Sequence, residues 1–291
     1  MRRVGALLCA TTLLATAPAA AQSLSDEQLA AVRRGAASSR LPGGATTVPL
    51  VGPPTLPLVE ARVNGAGPFR LLLDLGSNVT ILRRDVVDAA GVEVVLDRER
   101  SDIVRADTLS VGACEFRDVW MGAYDELDVD GVIGYNLLSA RPFTLDYPGA
   151  RLILGAAELP DPAGELVVED RLPFVAARLG GREVLLNLDT GAAEEMTVPP
   201  QWEEWLPVEG EPVPGPMTHN NQTGATRVRV ARLGEELRVA GVGLGRPLVY
   251  LNPDAEDAWL GSGLLKDYVL AVDPEQRLYG LSRPGGPATA P

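Results

Sequence analysis

The feature that most limits how this chain can fold is a stretch that occurs twice. Val184-Leu185-Leu186-Asn187-Leu188-Asp189-Thr190-Gly191-Ala192 has a near-copy in Phe69-Arg70-Leu71-Leu72-Leu73-Asp74-Leu75-Gly76-Ser77. In each, an apolar run of strand length enters a core and ends on an acid. A glycine two residues later lets the backbone turn tightly there. An acid so placed is held at the end of a buried strand and cannot drift into solvent. Taken singly, either copy reads first as a strand and a turn with a solvated aspartate, because Asp-x-Gly is common turn chemistry. The presence of both, one in each half of the chain, points instead to a pair of carboxylates where two related lobes meet.

The copying extends beyond the acids. Leu56-Pro57-Leu58-Val59-Glu60-Ala61-Arg62-Val63 is answered by Leu172-Pro173-Phe174-Val175-Ala176-Ala177-Arg178-Leu179. The turn Asn64-Gly65 is answered by Gly180-Gly181. Later, Val132-Ile133-Gly134-Tyr135-Asn136-Leu137-Leu138 corresponds to Trp259-Leu260-Gly261-Ser262-Gly263-Leu264-Leu265, and Pro142-Phe143-Thr144-Leu145-Asp146 to Val269-Leu270-Ala271-Val272-Asp273. One duplicated unit is the economical account. Short strands punctuated by Gly and Pro make the expected class all-β. The repeats divide the chain into a first lobe over 55–157 and a second over 165–283. A short helix and a linker or edge arm over 22–54 precede them, and a disordered tail over 284–291 follows. Ser25 with Gln28 forms a capping-box pattern at the start of the helix.

Residues 1–21 read as a signal peptide. Arg2 and Arg3 form a basic start, residues 4–17 are apolar, and Ala19-Ala20-Ala21 supplies a cleavage pattern. The apolar run is too short to span a bilayer. The expectation is export across the inner membrane to the periplasm, without membrane insertion. Removal of the leader takes Cys9 with it, so Cys114 has no partner for an intrachain disulfide. The net charge of -13 argues against nucleic acid as a partner, which needs a basic footprint. With His219 as the sole histidine, His-based metal sites and Ser-His-Asp or Cys-His chemistry have little support. No metal or other cofactor is expected, and acid–base work falls to Asp and Glu.

Apolar-apolar-Asp-Thr-Gly-Ala, followed by an apolar-Gly segment before Leu-Leu, each with its partner in the other half, resembles the aspartic protease superfamily. The likeness is to its retropepsin-like and pepsin-like members, in a bacterial, exported, two-lobed single-chain form. It spans residues 56–282. The resemblance implies two β-barrel lobes with a cleft between them and an Asp74–Asp189 dyad on its floor. Two such carboxylates share one proton, so one activates water while the other acts as acid toward the peptide carbonyl. Gly76 and Gly191 would allow the tight acid loops. Gly134 and Gly261 match the second glycine motif, which passes closely behind each loop; otherwise they are turn glycines. Ser77 would accept or donate near Asp74, as Ala192 cannot. The Thr190 hydroxyl would bond across to the opposite loop. The implied partner is an extended peptide or protein substrate, and two lobes in one chain make a monomer the expectation.

The chain departs from the pattern in three places. Leu75 stands where the first loop normally has Thr, which leaves a one-sided lock between the loops. Two extra residues fall among Ala193-Glu194-Glu195, and the glutamates read more readily as solvated than as cleft residues. The first-lobe flap, over 94–109, has charges and no Gly. A second-lobe hairpin over 215–230, with Asn220-Asn221-Gln222-Thr223-Gly224-Ala225 at its tip, could bring His219, Trp202 and Trp205 to substrate. The leading reading is an aspartic endopeptidase. The alternative is a catalytically weak or inactive retropepsin-like peptide-binding protein.

Overall fold

A computed structural model describes residues 23–98, 101–220 and 224–284 of the chain. The signal-peptide and cleavage-site expectations lie outside the described residues, as do the tail from 285 onward and hairpin-tip residues 221–223.

Each repeat begins with a hairpin whose turn chemistry is local. Leu58–Val63 and Ala66–Asp74 are antiparallel around Asn64 and Gly65, with φ of 48° and 81°. Leu172–Leu179 and Arg182–Asp189 are antiparallel around Gly180 and Gly181, at 56° and 74°. Two-residue turns with positive φ match the twist of paired strands, and Asn and Gly tolerate that conformation best. The acid-bearing strand of each hairpin then pairs in parallel with the strand of the second glycine motif. The register sets Asp74 opposite Gly134 and Asp189 opposite Gly261.

The eight-stranded first sheet closes on itself where Asp102–Val111 pairs with Cys114–Tyr124, giving a six-stranded barrel. The second sheet has fifteen strands. It contains the second repeat and continues through Val269–Asp273 into Phe143–Asp146 of the first, with Phe143 opposite Val272 and Asp146 opposite Val269. One hydrophobic core runs from Val59 and Leu73 to Leu188 and Leu260, all at most 1% exposed. Shared backbone pairing and a shared core therefore fix the two acid strands relative to each other. The architecture is all-β, as expected, with a closed barrel and a second sheet.

Residues 36–49 form an edge arm rather than a free linker. Ala36–Arg40 pairs with Cys114–Tyr124, and Thr46–Pro49 pairs with Arg151–Leu154. The preceding helix, Asp26–Arg34, has the reciprocal Ser25–Gln28 capping box and ends at Gly35, φ 84°. Its Ala31 and Val32 bury against Trp120, with Val79, Val95 and Ile103 around them. The Asn136 side-chain amide donates to the carbonyl of Val32 at 3.2 Å. The helix is thus packed onto the first lobe. Cys114 is fully buried in the core, and burial pushes its thiol pKa up, so it acts as a small apolar filler. Among the described residues, no helix is long and apolar enough to cross a membrane.

Candidate active site

Leu71, Leu72 and Leu73 are all buried, as a central strand covered on both faces requires. The acid after them cannot move without dragging that strand from the core. In the second repeat Leu186 and Leu188 are fully buried. Asn187 between them satisfies its buried amide by donating to Pro173 O at 2.9 Å.

Each acid is cradled by its own loop. Gly76 N donates to Asp74 Oδ1 at 2.8 Å. Gly191 N and Ala192 N donate to Asp189 Oδ1 at 3.0 and 3.1 Å. Each loop also presses on the opposite acid. A Cβ on Gly76 would lie 2.5 Å from Asp189 Cγ, and one on Gly191 would lie 2.6 Å from Asp74 Cγ. The two glycines are therefore demanded by space between the two loops. The second-motif glycines lie directly behind the loops. A Cβ on Gly134 would meet Ser77 O and Val79 O at 2.8 Å, and one on Gly261 would meet Ala192 O at 2.8 Å.

The carboxyl groups of Asp74 and Asp189 are within hydrogen-bonding reach of each other. Both residues are half-buried by accessible surface, yet protein surrounds the carboxyl groups almost completely. Burial raises both pKa values above the usual carboxylate value, and the charge on Asp74 raises Asp189 further. The backbone N–H donors pull the other way. The pair therefore holds one proton in common over a range of pH where isolated carboxylates have lost theirs.

These raised values have a consequence for stability. A carboxyl whose folded pKa exceeds its unfolded value of about 3.8 binds its proton more tightly in the folded chain. Its stabilising contribution is complete below that unfolded value and is lost as pH rises through the folded one. The pair's share of stability should thus decline as pH rises from about 4, and Asp189→Asn should flatten that decline. Melting curves recorded across pH test this. Identical pH dependence in the variant and the parent would contradict the raised pKa values.

The loops are locked from one side. Thr190 is fully buried; its Oγ1 accepts from Leu75 N at 3.0 Å and donates to Leu73 O at 2.7 Å. Leu75 has no hydroxyl to return the bond, and its side chain lies in the core at 1% exposure. The Ser77 hydroxyl, expected beside Asp74, instead donates to Val79 O at 2.8 Å. Ser77 reaches Asp74 through its backbone N–H.

The extra residues of the second loop are held by backbone bonds. Ser262 N donates to Ala192 O at 2.7 Å, Gly263 N to Glu194 O at 3.1 Å and Gly261 N to Glu195 O at 3.1 Å. Glu195 Oε2 accepts from Leu248 N at 2.7 Å, and the charges of both glutamates act on Tyr250. Trp202 and Trp205 pack on each other with ring centroids 4.9 Å apart, and both lean on the core. Arg182 lies over the Trp205 ring at 4.7 Å. Both rings thus serve as packing. The side chain of His219 lies outside the described residues. The first-lobe hairpin of Glu93–Leu96 and Asp102–Val111 is tied down through Asp102, which is 3% exposed. Its carboxylate pairs with Arg84 Nη1 at 2.5 Å and accepts from Arg98 N at 2.8 Å.

Sequence reasoning missed several polar residues around the loops. Thr80, fully buried, accepts from Gly134 N at 3.2 Å and donates to Asn136 Oδ1 at 2.9 Å. Its match to Thr197 in the second repeat was the available signal. Ser262 also reaches the second loop, and Tyr147 bonds to Ser262. Among the described residues, no cluster of His, Cys, Asp and Glu is arranged to hold a metal ion.

Residues 59–137 match the family model described as Aspartyl protease. The crystal structure of the aspartic proteinase from Irpex lacteus superposes with a TM-score of 0.51 at 13% sequence identity. That likeness covers 82% of this chain and 97% of the other, and at such identity it speaks for the fold. No curated protein matches the sequence.

Proposed function

We propose that the chain is an aspartic endopeptidase of the retropepsin- and pepsin-like kind, a reading supported by the match of residues 59–137 to the Aspartyl protease family model and by a fold similar to that of an aspartic proteinase. The observation that carries the proposal is the pair Asp74 and Asp189, two raised carboxyls within bonding reach, each pinned by its own loop and by the glycine of the other. The ionised member of the pair takes a proton from a water lying between them. The resulting hydroxide attacks the peptide carbonyl, and the protonated member gives its proton to the carbonyl oxygen. Collapse of the gem-diol, with proton transfer to nitrogen, breaks the C–N bond and restores the shared proton. Substrate lies extended across the cleft and pairs as a strand would. The chain works as an exported, periplasmic monomer.

The test is cleavage of an internally quenched peptide library between pH 3 and 7. Turnover is expected on the acidic side of neutrality, with loss of activity on adding a statine-type mimic of the gem-diol. The one-sided lock at Leu75 favours a second reading, in which the cleft holds peptides and turns them over weakly or not at all. Peptide binding at every pH without product would select that reading.

A further inference from the structure

We propose that Tyr147 and Ser262 form a hydrogen-bonded relay, running from the first repeat to the carboxylate of Asp189, that sets how readily that carboxylate ionises. The proposal rests on reading Asp74 and Asp189 as the working pair. It makes Tyr147 and Ser262 positioning residues, since neither touches the reacting atoms.

The direction of the relay follows from counting protons. Ser262 is fully buried and its Oγ donates to Thr190 O at 2.7 Å. A carbonyl can only accept, so the single proton of the Ser262 hydroxyl is committed there. The Tyr147 hydroxyl lies 2.6 Å from Ser262 Oγ and must therefore be the donor of that bond. The Thr190 carbonyl and the Gly191 N–H are two ends of one peptide group. That N–H donates to Asp189 Oδ1 at 3.0 Å. A peptide group that accepts strongly at oxygen becomes a stronger donor at nitrogen. Each bond in the chain thus strengthens the next, and the last one favours the charged form of Asp189.

Tyr147 is suited to be a fixed donor. It is 5% exposed and packs in the core. The charges of Asp189 and Asp74 act on it, and the two aspartates act on each other. Both neighbours are acids, and with burial they keep the phenol protonated far above neutrality.

The relay has no counterpart in the first repeat. Asp146 accepts from Gly149 N at 2.8 Å, and Asp273 accepts from Gln276 N at 3.0 Å, so the turns after these acids correspond. Where the first turn has Tyr147, the second has Pro274. Where the second glycine motif continues with Ser262, the first continues with Tyr135. The two departures from the duplication meet each other, on the side of Thr190. The loop whose threonine makes both hydroxyl bonds to the opposite loop is also the loop that Ser262 and Tyr147 brace from behind.

The competing account is a buried tyrosine whose hydroxyl is merely satisfied. Carboxyl-¹³C aspartate labelling of the full chain separates the two by NMR titration, with Asp74→Asn and Asp189→Asn assigning the signals. The upper apparent pKa of the pair, at which Asp189 gives up its proton beside the charged Asp74, should rise by about 0.3–0.5 unit in Tyr147→Phe and by about 1 unit in Ser262→Ala. The alkaline limb of kcat/KM against pH should move up with it, which on that limb is a gain of about threefold and about tenfold respectively. An apparent pKa unchanged to within about 0.1 unit in both folded variants overturns the relay, even if their melting temperatures fall. If Ser262→Ala does not fold, Tyr147→Phe, which removes one oxygen atom, decides alone. The titration needs no turnover. A shift in a chain that cleaves nothing keeps the relay and rejects the endopeptidase, whereas cleavage without a shift rejects the relay alone.

Discussion

Asp74→Asn and Asp189→Asn are each expected to lower kcat for peptide cleavage by at least about 10²–10⁴-fold, the usual range for loss of a general acid or base. Asparagine matches aspartate in size and fills the same space beside Gly76 or Gly191. It cannot take a proton from water, and it has none to give to the carbonyl oxygen. The remaining aspartate is also changed. In Asp74→Asn the like charge that raises Asp189 disappears, so Asp189 ionises at lower pH and no longer holds its proton where the pair did. Loss of the fold can be separated from loss of chemistry. Removing a buried charge should leave melting temperature near neutral pH equal to the parent's or higher, because the parent bears the cost of ionising a desolvated carboxyl. Cleavage within tenfold of the parent's in either variant, with the protein pure, would remove the dyad from the mechanism.

The architecture and the two acid loops were legible in the sequence because both are written locally and then written again. Asn64-Gly65 and Gly180-Gly181 each define a turn at their own position. The apolar runs ending on Asp74 and Asp189 each define a buried strand. Residues 36–49 were harder to read, because an edge strand needs only a partner and little apolar pattern, and the partner lies far along the chain at Cys114–Tyr124. The Ser77 hydroxyl had two acceptors in range of its loop and chose Val79 O, a choice made by the loop's shape. Tyr147 was invisible for a different reason. Its contact with Ser262 spans 115 positions and depends on the register between Phe143–Asp146 and Val269–Asp273. No periodicity reports that register, and Pro274 at the matching place gives no hint of a hydroxyl.

That register also explains why one threonine carries so much. Thr190→Val is expected to destabilise the chain by about 2–4 kcal/mol, from leaving two buried backbone groups unpaired at about 1–3 kcal/mol each. Valine has nearly the shape of threonine, so the change opens no cavity. It removes the oxygen that accepts from Leu75 N and the proton that goes to Leu73 O. Neither group can turn to water, since Leu73 and Leu75 are each 1% exposed. Nor can the opposite loop compensate, because Leu75 has no hydroxyl. The Thr190 carbonyl keeps its bond from Ser262, so the loss is confined to the bonds that cross between the loops. Thr190→Ser is the control. It keeps the hydroxyl and loses one methyl, which should cost about 1 kcal/mol. Urea denaturation of the two variants therefore separates the lock from the packing. Cleavage should follow the same order: kcat close to the parent's for serine, and for valine a loss beyond what the unfolded fraction explains, because carboxyls freed to move apart no longer share a proton. If valine is no worse than serine in both measurements, the inter-loop bonds are incidental, and the acids are held together by the shared core and the strand pairing between the lobes.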